Sequence, residues 1–277
     1  MTTTTEFDEL SVQHLDRPGG RIAYRLAGKG PLVVCLPGMG EIAASYRYSV
    51  PALARAGFRV AVMDLRGHGE SDATFDRYDD EAAGSDALAL IDELGGPAIL
   101  VGNSMGAGAS VWAAAQRPDA VSGVALIGPF VRNAPVNPVM GLLFRVLMLR
   151  PWARQSWLSY LPSLYPGRRP DDFEAHRAAI RRAMRRPGAT AAFARTTRTD
   201  HTAAERSLPQ VQIPAAVIMG TADPDFRDPV AEAHWIGEQL NATVTLVDGA
   251  GHYPQVEQPT IVGDALVAFC RRVATDA

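Results

Sequence analysis

An α/β fold is predicted: a mostly parallel, eight-stranded sheet with helices on both faces and one all-helical insertion. Three observations predict it. Eight apolar runs bounded by Gly or Pro recur along the chain, and helical patterns fall between most of them. One stretch, roughly residues 131–210, carries helical periodicity and no good strand.

The runs are "LSVQHL", "RIAYRLAG", "PLVVCLPG", "FRVAVMD", "PAILVGN", "GVALIGP", "AAVIMG" and "TVTLVDG". The first two are joined through "DRPGG", a turn signal, and read as a hairpin. From residue 31 onward strand and helix alternate, with helical patterns at 80–94, 104–117, 228–240 and 258–273, which argues for a parallel sheet covered on both faces. The alternation stops after "ALIGPF" and resumes at "IPAAVIMG". We therefore divide the chain into a core of residues 1–130 plus 211–277 and a helical cap of residues 131–210. The cap's apolar side chains (Leu142, Leu143, Phe144, Leu147, Trp152, Trp157, Leu161) need something to cover, and the carboxyl edge of the sheet would supply it.

Composition narrows the function. With 47% hydrophobic and 21% charged residues over 277 positions, the chain is an ordinary globular protein with one large core. A net charge of −3 gives no reason to expect nucleic acid or an anionic membrane as partner. Cys35 and Cys270 are too few for a disulfide framework, and no His/Cys/Asp cluster has metal-site spacing, so no metal or cofactor is expected. The polar "MTTTTEFDEL" start lacks signal-peptide character, and "VMGLLFRVLML" is too short to span a bilayer. A cytoplasmic protein is the expectation, monomer or homodimer.

The chemistry starts at Gly102-Asn103-Ser104-Met105-Gly106, a G-x-S-x-G pattern between an apolar run and helix-compatible "AGASVWAAAQ". A strand turning sharply into a helix strains the residue at the bend and needs small neighbours, and it exposes the Ser104 hydroxyl at a helix N-terminus. A serine needs a base, and the base an acid to orient it. Of six histidines, His252 in "DGAGHYPQVEQP" follows the last strand candidate, at the edge that carries Ser104. "VIMGTADPDF" supplies Asp223 as the acid, with Asp225 as a close rival. The order Ser104…Asp223…His252 is that of one triad class. Backbone N–H groups of Met105 and of Met39, in the glycine-rich "LPGMGE", are the candidate oxyanion donors.

Two other readings attach to the same stretches. Gly38-x-Gly40-x-x-Ala43 followed by Asp64 matches a dinucleotide-binding fingerprint, although Pro37 and the preceding hairpin argue against it. "RRAMRR" (181–186) could be a nucleic-acid patch, but Asp171, Asp172 and Glu174 nearby read as a solvated helix face.

Together, "LPGMG", "DLRGHGES", "GNSMGAGASVWAAAQRPDAVSGVALIGP", "GTADPDF" and "GAGHYPQVEQP" resemble the α/β-hydrolase family in order and spacing, over nearly the whole chain. The resemblance implies Ser104 as nucleophile, Asp223 as acid, His252 as base, Met39 and Met105 as oxyanion hole, and residues 131–210 as the family's cap. It makes "DLRGHGES" a structural loop, so His68 is not the base. Ser104 stands where epoxide hydrolases and haloalkane dehalogenases carry aspartate. Pro37-Gly38 replaces the frequent His-Gly. The expected activity is hydrolysis of a carboxylic ester, thioester or lactone of a hydrophobic small molecule. "GNSMG" also resembles carbon–carbon hydrolases of vinylogous diketones, which carry tryptophan where Tyr253 stands. A cofactor-free haloperoxidase or a non-catalytic binding member are further alternatives.

Overall fold

The computed structural model describes residues 3–133, 138–149 and 151–276. Eight strands, β1 (Val12–Arg17), β2 (Gly20–Ala27), β3 (Leu32–Leu36), β4 (Arg59–Met63), β5 (Ala98–Asn103), β6 (Val121–Ile127), β7 (Ala215–Gly220) and β8 (Thr243–Val247), form one sheet in the order β1-β2-β4-β3-β5-β6-β7-β8. β2 runs antiparallel to β1 and β4, and every other pairing is parallel. The first two runs do form a hairpin, closed at Arg17↔Gly20.

The central strands are continuous apolar runs because both their faces are covered. In β3, Leu32, Val34 and Leu36 join one core cluster while Val33 and Cys35 join the other, the period-two alternation of a strand. The first cluster is closed by α3 (Asp80–Leu94), α4 (Met105–Gln116) and α10 (Pro229–Leu240). The second is closed by α1 (Thr3–Asp8), α2 (Ser49–Arg55) and α12 (Pro259–Asp276). Asp79 starts α3 by accepting a hydrogen bond from the Ala82 N–H at 2.9 Å, the usual work of an N-cap aspartate. Cys35 and Cys270 are free and buried.

Between β6 and β7 every described element is helical: α5 (Pro138–Leu147), α6 (Ala153–Tyr160), α7 (Phe173–Ala183), α8 (Ala189–Thr196), α9 (Thr202–Ser207) and short 3-10 turns. Residues 134–137 and 150 of this stretch lie outside the described residues. The expectation that its apolar side chains cover the sheet edge holds for only part of the set. Trp157 and Leu161 are buried with Leu158, Phe173 and Phe193 in a third cluster that takes in Tyr253 and Val256 of the core. Leu142, Leu143, Phe144, Leu147 and Trp152 face solvent instead. The α5 sequence is apolar nearly all round, so composition could not tell which residues the packing would leave outside.

In the 181–186 stretch Arg182 and Arg185 are exposed, and Arg186 is engaged with the core. The Arg186 guanidinium donates to the Ser71 and Glu70 carbonyls, at 2.9 and 3.2 Å, and to that of Gly69. It thereby ties the inserted helices to the "DLRGHGES" loop. From the other side Arg66 of that loop donates to Asp86 of α3 at 2.6 and 2.8 Å, and Arg17 donates to the same carboxylate at 2.9 Å. Asp86 is wholly buried. Replacing it with alanine strands two largely buried guanidinium groups, and breaking such a pair costs about 3–5 kcal/mol. Urea unfolding of Asp86→Ala should show a loss of that size. A change below about 1 kcal/mol would mean that the network adds nothing to stability.

Candidate active site

β5 and α4 meet at Ser104, whose φ of 55° and ψ of −123° lie in a region that side chains avoid. Asn241 is the one other non-glycine residue with positive φ among the described residues. The turn is held from both sides: the Ser104 N–H donates to Ile127 O at 2.9 Å, and its carbonyl accepts from the N–H groups of Ala107 and Phe130, at 2.9 and 3.2 Å. The flanking glycines are needed for space. A Cβ on Gly102 would sit 2.3 Å from Gly106 O, and one on Gly106 2.2 Å from Leu36 O. Ser104 thus sits at the first turn of α4, with its side chain against Gly38, where a Cβ would come within 2.7 Å of the serine Cβ.

Gly38 belongs to the loop after β3. In that loop the Gly40 N–H donates to His68 Nε2 at 3.1 Å and the Glu41 N–H to Gly38 O at 3.3 Å. Those donors are spent, and the Met39 N–H precedes them in the chain. His68 receives the Gly40 proton because its other nitrogen, Nδ1, lies 2.9 Å from Arg66 O and donates there. Burial lowers its affinity for a proton, although the Arg66 carbonyl, Asp64 and Glu41 oppose this, so the imidazole stays a neutral acceptor. Asp64 accepts from the N–H groups of Ala43 and Glu70, at 2.6 and 3.0 Å, and is buried. It holds two loops together and is not free for a ribose, which removes the dinucleotide reading.

His252 follows β8. Its Nδ1 lies 2.7 Å from Asp223 Oδ2 and 3.8 Å from Asp225 Oδ2. Asp223 is therefore the hydrogen-bonding acid and Asp225 is not. Asp223 and His252 are both buried. The imidazole's backbone is fixed as well: its N–H donates to Leu164 O at 3.0 Å, and its carbonyl accepts from Asn103 Nδ2 at 3.3 Å. Next to it the Gly251 N–H donates to Glu257 at 2.6 Å. Among the described residues no hydrogen bond joins Ser104 Oγ to His252. Both border the 128–130 segment: the Phe130 N–H meets the serine carbonyl, and its ring packs edge-on against the imidazole at 5.7 Å. In unliganded sites that link commonly closes only with substrate.

Electrostatics favour a charged imidazole. Burial alone would lower the His252 pKa, but the charge and hydrogen bond of Asp223, then the charges of Asp225 and Glu41, raise it to about 9. Asp225 itself is raised, mainly by burial. Burial also lifts Glu257, to about 7, against its bonds from Gly251 and Gly167.

Sequence reasoning missed several residues here. Asn103 grips the His252 carbonyl, and its only signal is a polar side chain at a buried strand end. His68 orders the Gly38–Gly40 turn. His176 Nε2 pairs with Glu41 Oε2 at 2.8 Å, and His201 Nδ1 with Asp80 Oδ2 at 2.8 Å, while His14 and His234 are exposed. One group of three potential metal donors lies within 4.8 Å among the described residues, Asp223, Asp225 and His252. Its imidazole Nδ1 is already engaged by Asp223, which fits a hydrogen-bonded set better than a coordination site.

A strained serine at a strand–helix turn and a buried Asp–His pair, on the carboxyl edge of a β1-β2-β4-β3-β5-β6-β7-β8 sheet, define an α/β hydrolase. The model of the alpha/beta hydrolase family matches residues 33–265, and the chain belongs to that family. Epoxide hydrolase A of Mycobacterium tuberculosis is 28% identical, over 92% of this chain and 95% of its own. Bifunctional epoxide hydrolase 2 of Sus scrofa is 36% identical over 49% of this chain, and the chain spans only about a quarter of that protein, 26%. A bromoperoxidase from Bacillus anthracis shares the fold at a TM-score of 0.80 with 22% identity, over 95% of this chain and all (100%) of the other. Among the described residues no helix is long and apolar enough to cross a membrane.

The raised His252 pKa has a consequence for stability. A proton bound more tightly in the folded state contributes stability in full below the unfolded pKa of about 6.5, and loses it as pH rises through about 9. NMR titration should find the His252 midpoint near 9, and in Asp223→Asn well below that, because the largest opposing charge and hydrogen bond are gone. A midpoint of about 6.5 in both proteins would refute the pairing.

Proposed function

We propose that the protein hydrolyses a carboxylic ester, thioester or lactone of a hydrophobic small molecule through an acyl-enzyme on Ser104. The observation that carries this is the buried 2.7 Å contact between Asp223 and His252 beside a serine held at positive φ on a helix N-terminus. Asp223 fixes the imidazole with Nε2 turned away from it. On substrate binding Nε2 takes the Ser104 proton as Oγ attacks the carbonyl carbon. The N–H groups of Met39 and Met105 hold the oxyanion, at the positive end of α4. His252 returns the proton to the departing alcohol, and water then repeats both steps on the acyl-serine.

Residues 131–210 serve as the cap of this site. Trp157 reaches the oxyanion loop, with Nε1 donating to Gly40 O at 3.1 Å, and packs against Phe193. Phe130 and Phe226 stack at 4.8 Å beside His252. This aromatic wall supports an apolar substrate.

Two relatives are named epoxide hydrolases, and the nucleophile's chemistry argues against that substrate here. A carboxylate that opens an epoxide forms an ester, which water can cleave. A serine alkoxide would form an ether, which water cannot, and the enzyme would stop after one event. A serine acylated by an ester carries an ester again, and the cycle closes.

The base must be neutral to act, so a pKa of about 9 makes kcat/KM rise with pH, about tenfold per unit, until it levels near 9. The test is hydrolysis of p-nitrophenyl esters of increasing acyl length across that range, with Ser104→Ala in parallel. We expect Ser104→Ala to stay folded and to lose at least about 10³-fold in turnover. Full activity in that variant would overturn the mechanism. Cleavage of a vinylogous diketone without ester turnover would move the same residues to carbon–carbon bond hydrolysis.

A further inference from the structure

A triad needs one carboxylate on its histidine, and this site has two. Asp225 follows Asp223 by two residues, and its N–H donates to Asp223 Oδ1 at 3.0 Å. Its own Oδ2 lies 3.8 Å from His252 Nδ1, too far for a hydrogen bond and close enough for a strong charge interaction. Its Oδ1 accepts from the hydroxyl of Tyr160, the last residue of α6 in the inserted helices. Among the described residues this is the only hydrogen bond the Asp225 side chain makes. The side chain is about one-fifth exposed, at 21%. Asp225 therefore does not serve its own turn. It stands between the base and the cap.

We propose that Asp225 is a positioning residue for His252, and that the Tyr160 hydroxyl modulates its charge, so that how firmly His252 holds its proton depends on the seating of α6. This rests on the reading of His252 as the general base. With α6 seated, the phenol proton takes up part of the Asp225 charge. The imidazole is then held by Asp223 and gives up its proton more readily. With α6 displaced, the whole Asp225 charge acts on Nδ1–H at close range and keeps the imidazolium protonated. An open site thus holds the proton more firmly than a closed one, and closure of the cap makes the base easier to free. Tyr160 suits the part: burial and the neighbouring carboxylate hold its proton far above the ordinary phenol range, so it remains a donor.

Among the described residues, the other titratable groups that face His252 make no hydrogen bond to α6. Asp223 lies on the same loop as Asp225, and Glu41, after β3, is paired with His176 of α7. Glu257, on the short helix α11 (Pro254–Glu257), is engaged by the Gly251 and Gly167 N–H groups, and Tyr253 stacks on Tyr165. From the ends of β5 and β6 the neighbours are Asn103, Gly128 and Phe130, none of which titrates.

The test is NMR titration of the His252 ring in isotope-labelled full-length protein, alongside kcat/KM against pH for an ester. In Asp225→Asn the midpoint should fall by about one pH unit or more, since removing a charge at this range typically has that effect. In Tyr160→Phe it should rise, and the double variant should follow Asp225→Asn alone, because Tyr160 acts only through Asp225. The lower limb of the pH–rate profile should move with the midpoints. Midpoints that stay at the parent value while activity falls would show a merely structural role and overturn the proposal. If Asp225→Asn does not fold, Tyr160→Phe decides alone: an upward move supports the coupling and an unmoved midpoint overturns it. A parent without ester turnover would defeat the hydrolytic reading, and the titration would still test the coupling.

Discussion

The backbone at Ser104 is the constraint to which the rest of the site is built. A non-glycine residue at φ 55° costs of order 1–2 kcal/mol and persists only when its surroundings permit no relaxed alternative. Those surroundings are the hydrogen bonds from both sides of the turn and the two glycines that let β5, α4 and the end of β3 meet without side chains between them. The same close approach brings Gly38 against the serine. Strain, the close approach of the Gly38–Gly40 loop and the helix N-terminus therefore form one feature with one cause, the tight β5–α4 turn. The Phe130 N–H on the serine carbonyl and the Asn103 amide on the His252 carbonyl then tie the neighbouring loops to that turn.

Farther out, each loop at the sheet edge is held by a buried charge or a neutral ring that satisfies backbone donors. His68 supports Gly40, and Asp64 joins residue 43 to residue 70. Asp86 anchors Arg66, and Glu257 anchors Gly251 beside the histidine. A buried carboxylate without partners would cost several kcal/mol, so the fold can retain these groups only where hydrogen bonds are waiting for them. That trade gives catalytic loops their stiffness, and it explains why so many polar residues sit at the carboxyl ends of an otherwise apolar sheet.

Local patterns were legible in the sequence and distant pairings were not. All eight strands and the helices at 80–94 and 228–240 follow from periods of two and 3.6, because each residue's face is decided by its near neighbours. Ser104, Asp223 and His252 could be proposed because each ends a recognisable strand. Glu41–His176 and Asp225–Tyr160 join residues 135 and 65 positions apart, and no spacing rule reaches that far. Asp223 could be preferred to Asp225 from the sequence, and the structure separates the two by their 2.7 and 3.8 Å distances to the imidazole. The apolar run at 139–149 misled for a different reason. Its composition predicts a buried helix, and burial depends on what the rest of the chain leaves available.

The inserted helices touch the machinery at the points where it must be aligned. Trp157 bonds Gly40 O, His176 pairs with Glu41 one residue later, Arg47 of the core grips Asp172 at 2.7 Å through two nitrogens, and Arg186 clamps the loop that carries His68. A cap hinged only at its ends could swing away and leave the loops below unchanged. This segment cannot, since lifting it removes hydrogen bonds from the Gly38–Glu41 loop and from the "DLRGHGES" loop. A charge-assisted contact is typically worth about 1.5–3 kcal/mol, so breaking several together is rare on the timescale of side-chain motion. In the proposed reaction, entry of a substrate and alignment of the donors that would bind its oxyanion are coupled through the same contacts.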